Sequence, residues 1–185
     1  MINGKSVLGV IAARGGSKRV PRKNLREFRG KSLLEWAILS TVKCKYFDAV
    51  VVSTEDEEIR EKAKALMIEH MYGYNIVNRP EKLATDTTSS EDVLRHALIR
   101  YPMHWVVLLQ PTSPLRTAED IDACIERAQM GNGCISTDLS GVANGAVYVA
   151  TSKWLRTHDF SHLGLMKYRM PDDRCLDINY EADFA

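Results

Sequence analysis

The chain has 185 residues, 25 of them Lys or Arg and 24 Asp or Glu, for a formal net charge of +1. That length encloses one hydrophobic core, and the even charge balance argues against a general nucleic-acid binder, so any basic cluster is a local feature. Cys44, Cys124, Cys134 and Cys175 form no Cys-x-x-Cys pair, and His70, His96, His104, His158 and His162 show no metal-ligand spacing, so neither a zinc site nor a disulfide framework is expected.

The start, Met1-Ile2-Asn3-Gly4-Lys5, lacks the apolar stretch of a signal peptide, and nothing later reaches membrane-spanning length. A soluble, cytoplasmic protein with no membrane partner is expected. An apolar run from Val7 to Ala13 reads as a first strand. Directly after it come Gly15 and Gly16 and the cations Arg14, Lys18, Arg19, Arg22 and Lys23, with no acid among them. Glycines let backbone N–H groups turn toward an anion, and the cations supply charge-assisted contacts to phosphate oxygens. The carboxyl end of a strand is also where open α/β sheets bind ligands. The plainer reading is a solvated basic turn. The loop has neither Walker A spacing nor a Gly-x-Gly-x-x-Gly pattern, which demotes P-loop hydrolysis and dinucleotide chemistry.

Leu33, Leu34, Ala37, Ile38, Thr41 and Val42 then recur at helical spacing. Ala49 to Ser53 reads as a buried strand. Thr54-Glu55-Asp56-Glu57 has the form of a capping box for a helix with Ile59, Ala63, Leu66 and Met67 on its apolar face. Asn75 to Asn78 is a short strand, Arg79-Pro80 opens a polar connection, and Ser89 caps a helix carrying Val93, Leu94, Ala97 and Leu98. Trp105 to Leu109 is apolar at every position and reads as a central strand. A rigid loop from Gln110 to Thr117 follows, then a second capping box, Thr117 with Asp120, ahead of Ile121, Cys124, Ile125 and Ala128. Gly133 to Thr137 and Ala146 to Ala150 are further strands, with a helical stretch near Ser152 to Thr157. The order predicts an α/β fold: a mostly parallel sheet with helices on both faces and functional loops along one edge.

Two stretches carry a resemblance, Ala13 to Asn24 (Ala-Arg-Gly-Gly-Ser-Lys-Arg-Val-Pro-Arg-Lys-Asn) and Leu109 to Arg116 (Leu-Gln-Pro-Thr-Ser-Pro-Leu-Arg). Val52 to Asp56, Arg79-Pro80, Leu83 to Ser90 and Asn144 to Tyr148 support them. Together they resemble the acylneuraminate cytidylyltransferases, which make CMP-sialic acid and related CMP-nonulosonic acids. The resemblance implies a single Rossmann-like nucleotidyltransferase domain over residues 1–185 that uses CTP, Mg²⁺ and an acidic nine-carbon sugar. The anomeric hydroxyl attacks the α-phosphorus and pyrophosphate leaves.

It places Arg14, Gly15, Gly16, Ser17, Lys23 and Asn24 on the nucleotide, with Lys23 and Arg14 catalytic, because a cation held against the dividing phosphates meets charge as it develops. Base recognition falls on Arg79 and Ser90, and sugar contact on Gln110 and Thr112. Each has a plainer role: Ser90 in a first helical turn, Arg79 as a surface residue before proline, Thr112 as a turn former. Gln110 is the hardest to dismiss, since a buried amide ending an apolar strand needs partners.

The chain departs from the family twice. The family's Asp-x-Asp metal pattern becomes Asp177-Ile178-Asn179, where Asn179 either ligates Mg²⁺ through its carbonyl or caps a short helix from Tyr180 to Phe184. Between about residues 137 and 144 the family inserts an arm that crosses to a partner subunit. Here Thr137 to Ala143 occupies that place, so the arm is either lost or not included in this chain, and a homodimer is left open. Two other readings stand beside the synthetase. One is a catalytically weakened or inactive CTP-binding relative. The other is a CMP-Kdo-type synthetase, against which Gly15 to Arg19 counts because that family has Tyr-Gly-Ser-x-Arg there.

Overall fold

The computed structural model describes residues 1–69 and 73–185; His70 lies outside them. In chain order the elements are β1 (Val7–Ala12), β2 (Glu27–Phe28), β3 (Lys31–Ser32), α1 (Leu33–Leu39), β4 (Ala49–Thr54), α2 (Glu57–Glu69), β5 (Asn75–Asn78), α3 (Ser90–Arg100), β6 (Trp105–Leu109), α4 (Ala118–Ala128), β7 (Gly133–Thr137), β8 (Ala143–Thr151) and β9 (Met166–Arg169). Seven strands form one sheet in the order β5-β4-β1-β6-β8-β7-β9, and β2 and β3 make a separate hairpin. Only β8 runs against the rest: it pairs antiparallel with β6 and with β7, while the other pairings are parallel.

Strand alternation decides which helices cover which face. Val7 and Ile11 of β1, with Val107 and Leu109 of β6, face α1, α2 and α4. Leu8, Val10, Val106 and Leu108 point the other way, against Leu94 and Ala97 of α3 and the turn containing Trp154 and Leu155. Both faces are therefore buried, as the continuous apolar runs require. Helix α4 seats Ile121, Cys124, Ile125 and Ala128, all fully buried; trimming such a side chain, as in Ile125→Ala, removes about 2–5 kcal/mol.

Local chemistry explains where the elements begin and end. Helix α1 stops at Leu39, earlier than the apolar periodicity predicts, because the hydroxyls of Ser40 and Thr41 bond back to the carbonyls of Ala37 and Ile38 at 2.7 Å. Ser89 caps α3, and Thr117 with Asp120 forms a complete capping box on α4, both as predicted. Helix α2 is capped differently: Asp56 Oδ1, not Thr54, accepts from the Ile59 amide at 2.9 Å, and Thr54 Oγ1 accepts from the Asp56 amide. The stretches near Ser152 to Thr157 and Tyr180 to Phe184 form only short 3₁₀ turns, Trp154–Arg156 and Glu181–Phe184. No helix among the described residues is long and apolar enough to cross a membrane.

Candidate nucleotide site

The carboxyl ends of β1, β4, β5 and β6 share one edge of the sheet, and the loops leaving them enclose two joined cavities. One, of about 360 Å³, is lined by Arg14, Ser17, Lys18, Arg19, Lys23 and Asn179, among others. The other, of about 290 Å³, shares Arg14, Ser17 and Lys23 and adds Asn24, Arg79, Ser90, Gln110 and Thr112. Gln110 and Ser90 also border a third hollow of about 250 Å³, whose wall includes Tyr148 and Phe160. Residues as far apart as 14 and 179 thus meet around one concave surface.

The basic loop is shaped by acids that follow β4. The Gly15 amide donates to Glu55 Oε1 at 2.7 Å, and Glu55 Oε2 accepts from Arg79 Nη2 at 2.9 Å, in a pair whose side chains are only 14% and 4% exposed. A Cβ on Gly15 would lie 2.2 Å from Asp56 Oδ2. This corrects the anion-cradle expectation at Gly15, which spends its N–H on Glu55 and is small to let the loop pack on Asp56; a Cβ on Gly16 would meet nothing within 4 Å.

Arg22 also turns away from the cavity, giving Asp56 two bonds at 2.6 and 2.8 Å. Its backbone is left-handed (φ 56°), a conformation that non-glycine residues adopt at a cost, and the bidentate pair holds it there. The next residue, Lys23, is delivered inward. Burial pushes the Lys23 ammonium below its ordinary pKa, Arg19 and Arg14 add to that, and Asp177 and Asp183 oppose it. Asn24 is buried and donates from its side chain to the Arg14 carbonyl at 2.8 Å, so it braces the loop while lining the cavity.

Arg79 is no surface residue. It is 6% exposed, and burial lowers its pKa despite the neighbouring Glu55 carboxylate. Ser90 opens α3 at the cavity wall. Gln110 is fixed through its backbone by Arg116, a fully buried guanidinium that donates to the Gln110 carbonyl at 3.0 Å and the Ala146 carbonyl at 2.7 Å. Burial brings Arg116 down to about 10, so it stays charged at neutral pH.

The carboxyl-terminal segment crosses between the two signature loops. The Ile178 amide donates to the Thr112 carbonyl at 2.8 Å, and the Ile178 carbonyl accepts from Lys23 Nζ at 3.0 Å. Asp177 and Asn179 flank this clamp. Asn179 does not cap the following turn: its side-chain amide donates to Asp177 Oδ2 at 2.7 Å, and Asp183 Oδ2 accepts the amides of Asn179 and Tyr180 at 2.7 and 2.8 Å.

Asp177 Oδ1 is buried with no hydrogen-bond partner, and a Cβ on Gly145 (φ 82°) would lie 3.6 Å from the same carboxylate and 3.7 Å from Gln110 Oε1. An orphaned carboxylate oxygen is a hard ligand of the kind Mg²⁺ takes once phosphate and water complete the set. Among the described residues no three His, Cys, Asp or Glu side chains group for a metal, so protein ligands alone do not fill a coordination shell.

Sequence reasoning missed Glu55, Asp86 and Arg116 as site-builders, although all three lie inside the motif stretches; the legible signal for Glu55 was an acid at a strand end facing a basic loop.

The cytidylyltransferase family profile matches residues 8–168. The chain is 35% identical over 124 residues to the N-acylneuraminate cytidylyltransferase of Escherichia coli O18:K1:H7, covering 66% of this chain and 28% of that protein. It is 36% identical over 126 residues to the CMP-N,N'-diacetyllegionaminic acid synthase of Legionella pneumophila, covering 65% and 52%. The matched part is thus about half or less of either relative. A cytidylyltransferase structure from Leptospira borgpetersenii superposes with a TM-score of 0.71 at 20% identity, over 97% of this chain and 84% of that one, a likeness of fold.

Proposed function

This chain belongs to the cytidylyltransferase family, and from that membership we propose that it transfers CMP from CTP to the anomeric hydroxyl of a sialic-acid-like nonulosonic acid, within a single domain spanning residues 1–185. The observation that carries the reading is the convergence of Arg14, Ser17, Lys23, Arg79, Ser90 and Gln110 on one cavity at the carboxyl edge of the sheet. The relatives named for acylneuraminate and diacetyllegionaminic acid support the acidic-sugar class.

In this reading the triphosphate lies along Arg14, Ser17 and Lys23, the base is met by Arg79 and Ser90, and the sugar enters from the hollow beyond Gln110 and Thr112, against Tyr148. The sugar hydroxyl oxygen bonds to the α-phosphorus and loses its proton, while the bond from that phosphorus to the bridging oxygen breaks and pyrophosphate departs. Lys23 and Arg14 stabilise the charge that grows on the departing oxygens, more strongly because the half-buried site restricts water. Asp177 would hold Mg²⁺, joined by the Asn179 amide oxygen once its bond to Asp177 is released, and the ion would supply further charge neutralisation on the phosphates.

Thr137 pairs with Ala143 across a tight turn in which the Asp138 amide donates to the Val142 carbonyl at 2.9 Å. That connection brings Ala143 to the wall of the hollow shared with Gln110 and Tyr148, where the sugar is proposed to enter. The test is pyrophosphate release from CTP with Mg²⁺ and a panel of nonulosonic acids including N-acetylneuraminic and legionaminic acid. Release that requires both sugar and metal is expected. Tight CTP binding with no release for any sugar would replace the enzyme with a nucleotide-binding relative disabled at residue 179.

A further inference from the structure

The polyphosphate end of the cavity already holds a carboxylate. Asp86 Oδ1 lies 2.8 Å from Arg14 Nη1, and Asp86 Oδ2 lies 2.5 Å from Lys18 Nζ, so each oxygen is matched to one cation. Asp86 lines both joined cavities, as do Arg14, Ser17 and Lys23, and among the described residues lining the larger one it is the one acid. It comes from the connection between β5 and α3, not from the basic loop. That connection is braced locally: Thr88 Oγ1 accepts from the Thr85 amide at 3.3 Å and lies 2.8 Å from Thr85 Oγ1, while Ser89 caps α3. The carboxylate is therefore presented by a formed loop.

We propose that Asp86 is an internal occupant of the polyphosphate subsite. It is displaced when a di- or triphosphate binds and returns when pyrophosphate leaves, which makes it a competing residue that lowers affinity for a charged phosphate tail, and so eases pyrophosphate release, without altering affinity for the nucleoside. The inference rests on the reading of this cavity as a CTP site. Two carboxylate oxygens bridging two cations resemble two oxygens of one phosphate, but with one negative charge instead of two or more. A phosphate tail outbids the carboxylate for Arg14 and Lys18 because charge-assisted bonds strengthen with the charge of the acceptor. A nucleoside without that tail leaves the ion pairs in place. Arg14 and Lys18 are thus never left unpaired beside Lys23, whose pKa the Arg14 charge already lowers.

The test is calorimetric titration of metal-free protein with inorganic pyrophosphate and, separately, with cytidine. Asp86→Asn keeps the side chain's shape and removes its charge at a partly exposed position. It should bind pyrophosphate at least tenfold more tightly than the unaltered protein, with cytidine affinity unchanged. In a Lys18→Ala background the same substitution should gain less, because one of the two contested cations is gone. Pyrophosphate affinity that stays equal or falls in Asp86→Asn overturns the proposal and assigns Asp86 to supporting the bound anion or the loop. Failure of the CTP reading would look different: pyrophosphate would still respond to Asp86→Asn, but no pyrophosphate would be released from CTP in the sugar panel.

Discussion

The Lys23 ammonium donates to the main-chain carbonyl of Ile178 at 3.0 Å, across 155 positions of sequence. Ile178 is itself pinned, with its side chain fully buried against Phe28 and Leu33 and its amide on Thr112. The contact ties the basic loop to the segment carrying Asp177 and Asn179, so the groups proposed for phosphate and metal are set by one clamp. A ligand phosphate then competes with a single neutral carbonyl for the lysine, a weaker partner than a carboxylate.

Lys23→Ala should therefore lower the rate of pyrophosphate release by about 10²–10³-fold while leaving the fold intact, as expected for a charge aimed at the dividing phosphates. Because burial lowers the Lys23 pKa beneath the ordinary 10.5, the alkaline limb of the rate profile should begin lower than for a solvated lysine. Lys23→Arg should move that limb upward. The stability sign is opposite to that of a salt-bridged lysine: between the lowered value and 10.5 the unfolded chain binds more protons, so stability rises with pH across that window. Melting curves of Lys23→Met against the unaltered protein should lose that rise.

Asn179→Asp should place a second carboxylate 2.7 Å from Asp177 Oδ2, where an amide now donates. The metal-free variant should melt lower, and added Mg²⁺ should restore it and reduce the concentration needed for half-maximal activity. Identical melts and identical Mg²⁺ titrations in the two proteins would remove Asn179 from the metal site.

A methyl group at Gly15 must push the Asp56 carboxylate aside and so break its bidentate bond to Arg22. Gly15→Ala should weaken CTP binding by roughly tenfold, which corresponds to about 1.4 kcal/mol. Adding Asp56→Ala should recover part of the loss by making room, provided the loop, and not an anion contact at residue 15, is what the glycine serves.

Glu55→Gln should unfold more easily in urea by about 3 kcal/mol, because Arg79 is left buried without its counter-charge. CTP affinity should fall with it, as the same carboxylate positions Gly15. A stability unchanged within 0.5 kcal/mol, roughly the scatter of surface substitutions, would mean the pair is solvated.

The sequence exposed the strands and the cationic loop because both are local signals: unbroken apolar runs, glycines, and charge concentrated at one strand end. It could not show how charge is apportioned. Arg22 and Arg14 read alike in the motif, yet one is consumed by Asp56 and the other faces the cavity with Asp86, through partners 34 and 72 positions away. Asn179 is similar: the spacing allows a cap, yet its side-chain amide donates to Asp177 instead and the cap falls to Asp183. Strand β9 was missed because Met-Lys-Tyr-Arg at a sheet edge alternates too briefly to stand out, and the two-residue strands β2 and β3 leave no periodicity to detect.

The reversal of β8 gives the fold room to vary. Since β7 and β8 are antiparallel neighbours, their connecting hairpin emerges at the rim beside Gln110 and Gly145, and chain can be added or removed at its tip without shifting any ladder of the sheet. Substrate preference can then diversify by lengthening one outlying hairpin while the buried framework beneath the proposed nucleotide cavity is inherited unaltered.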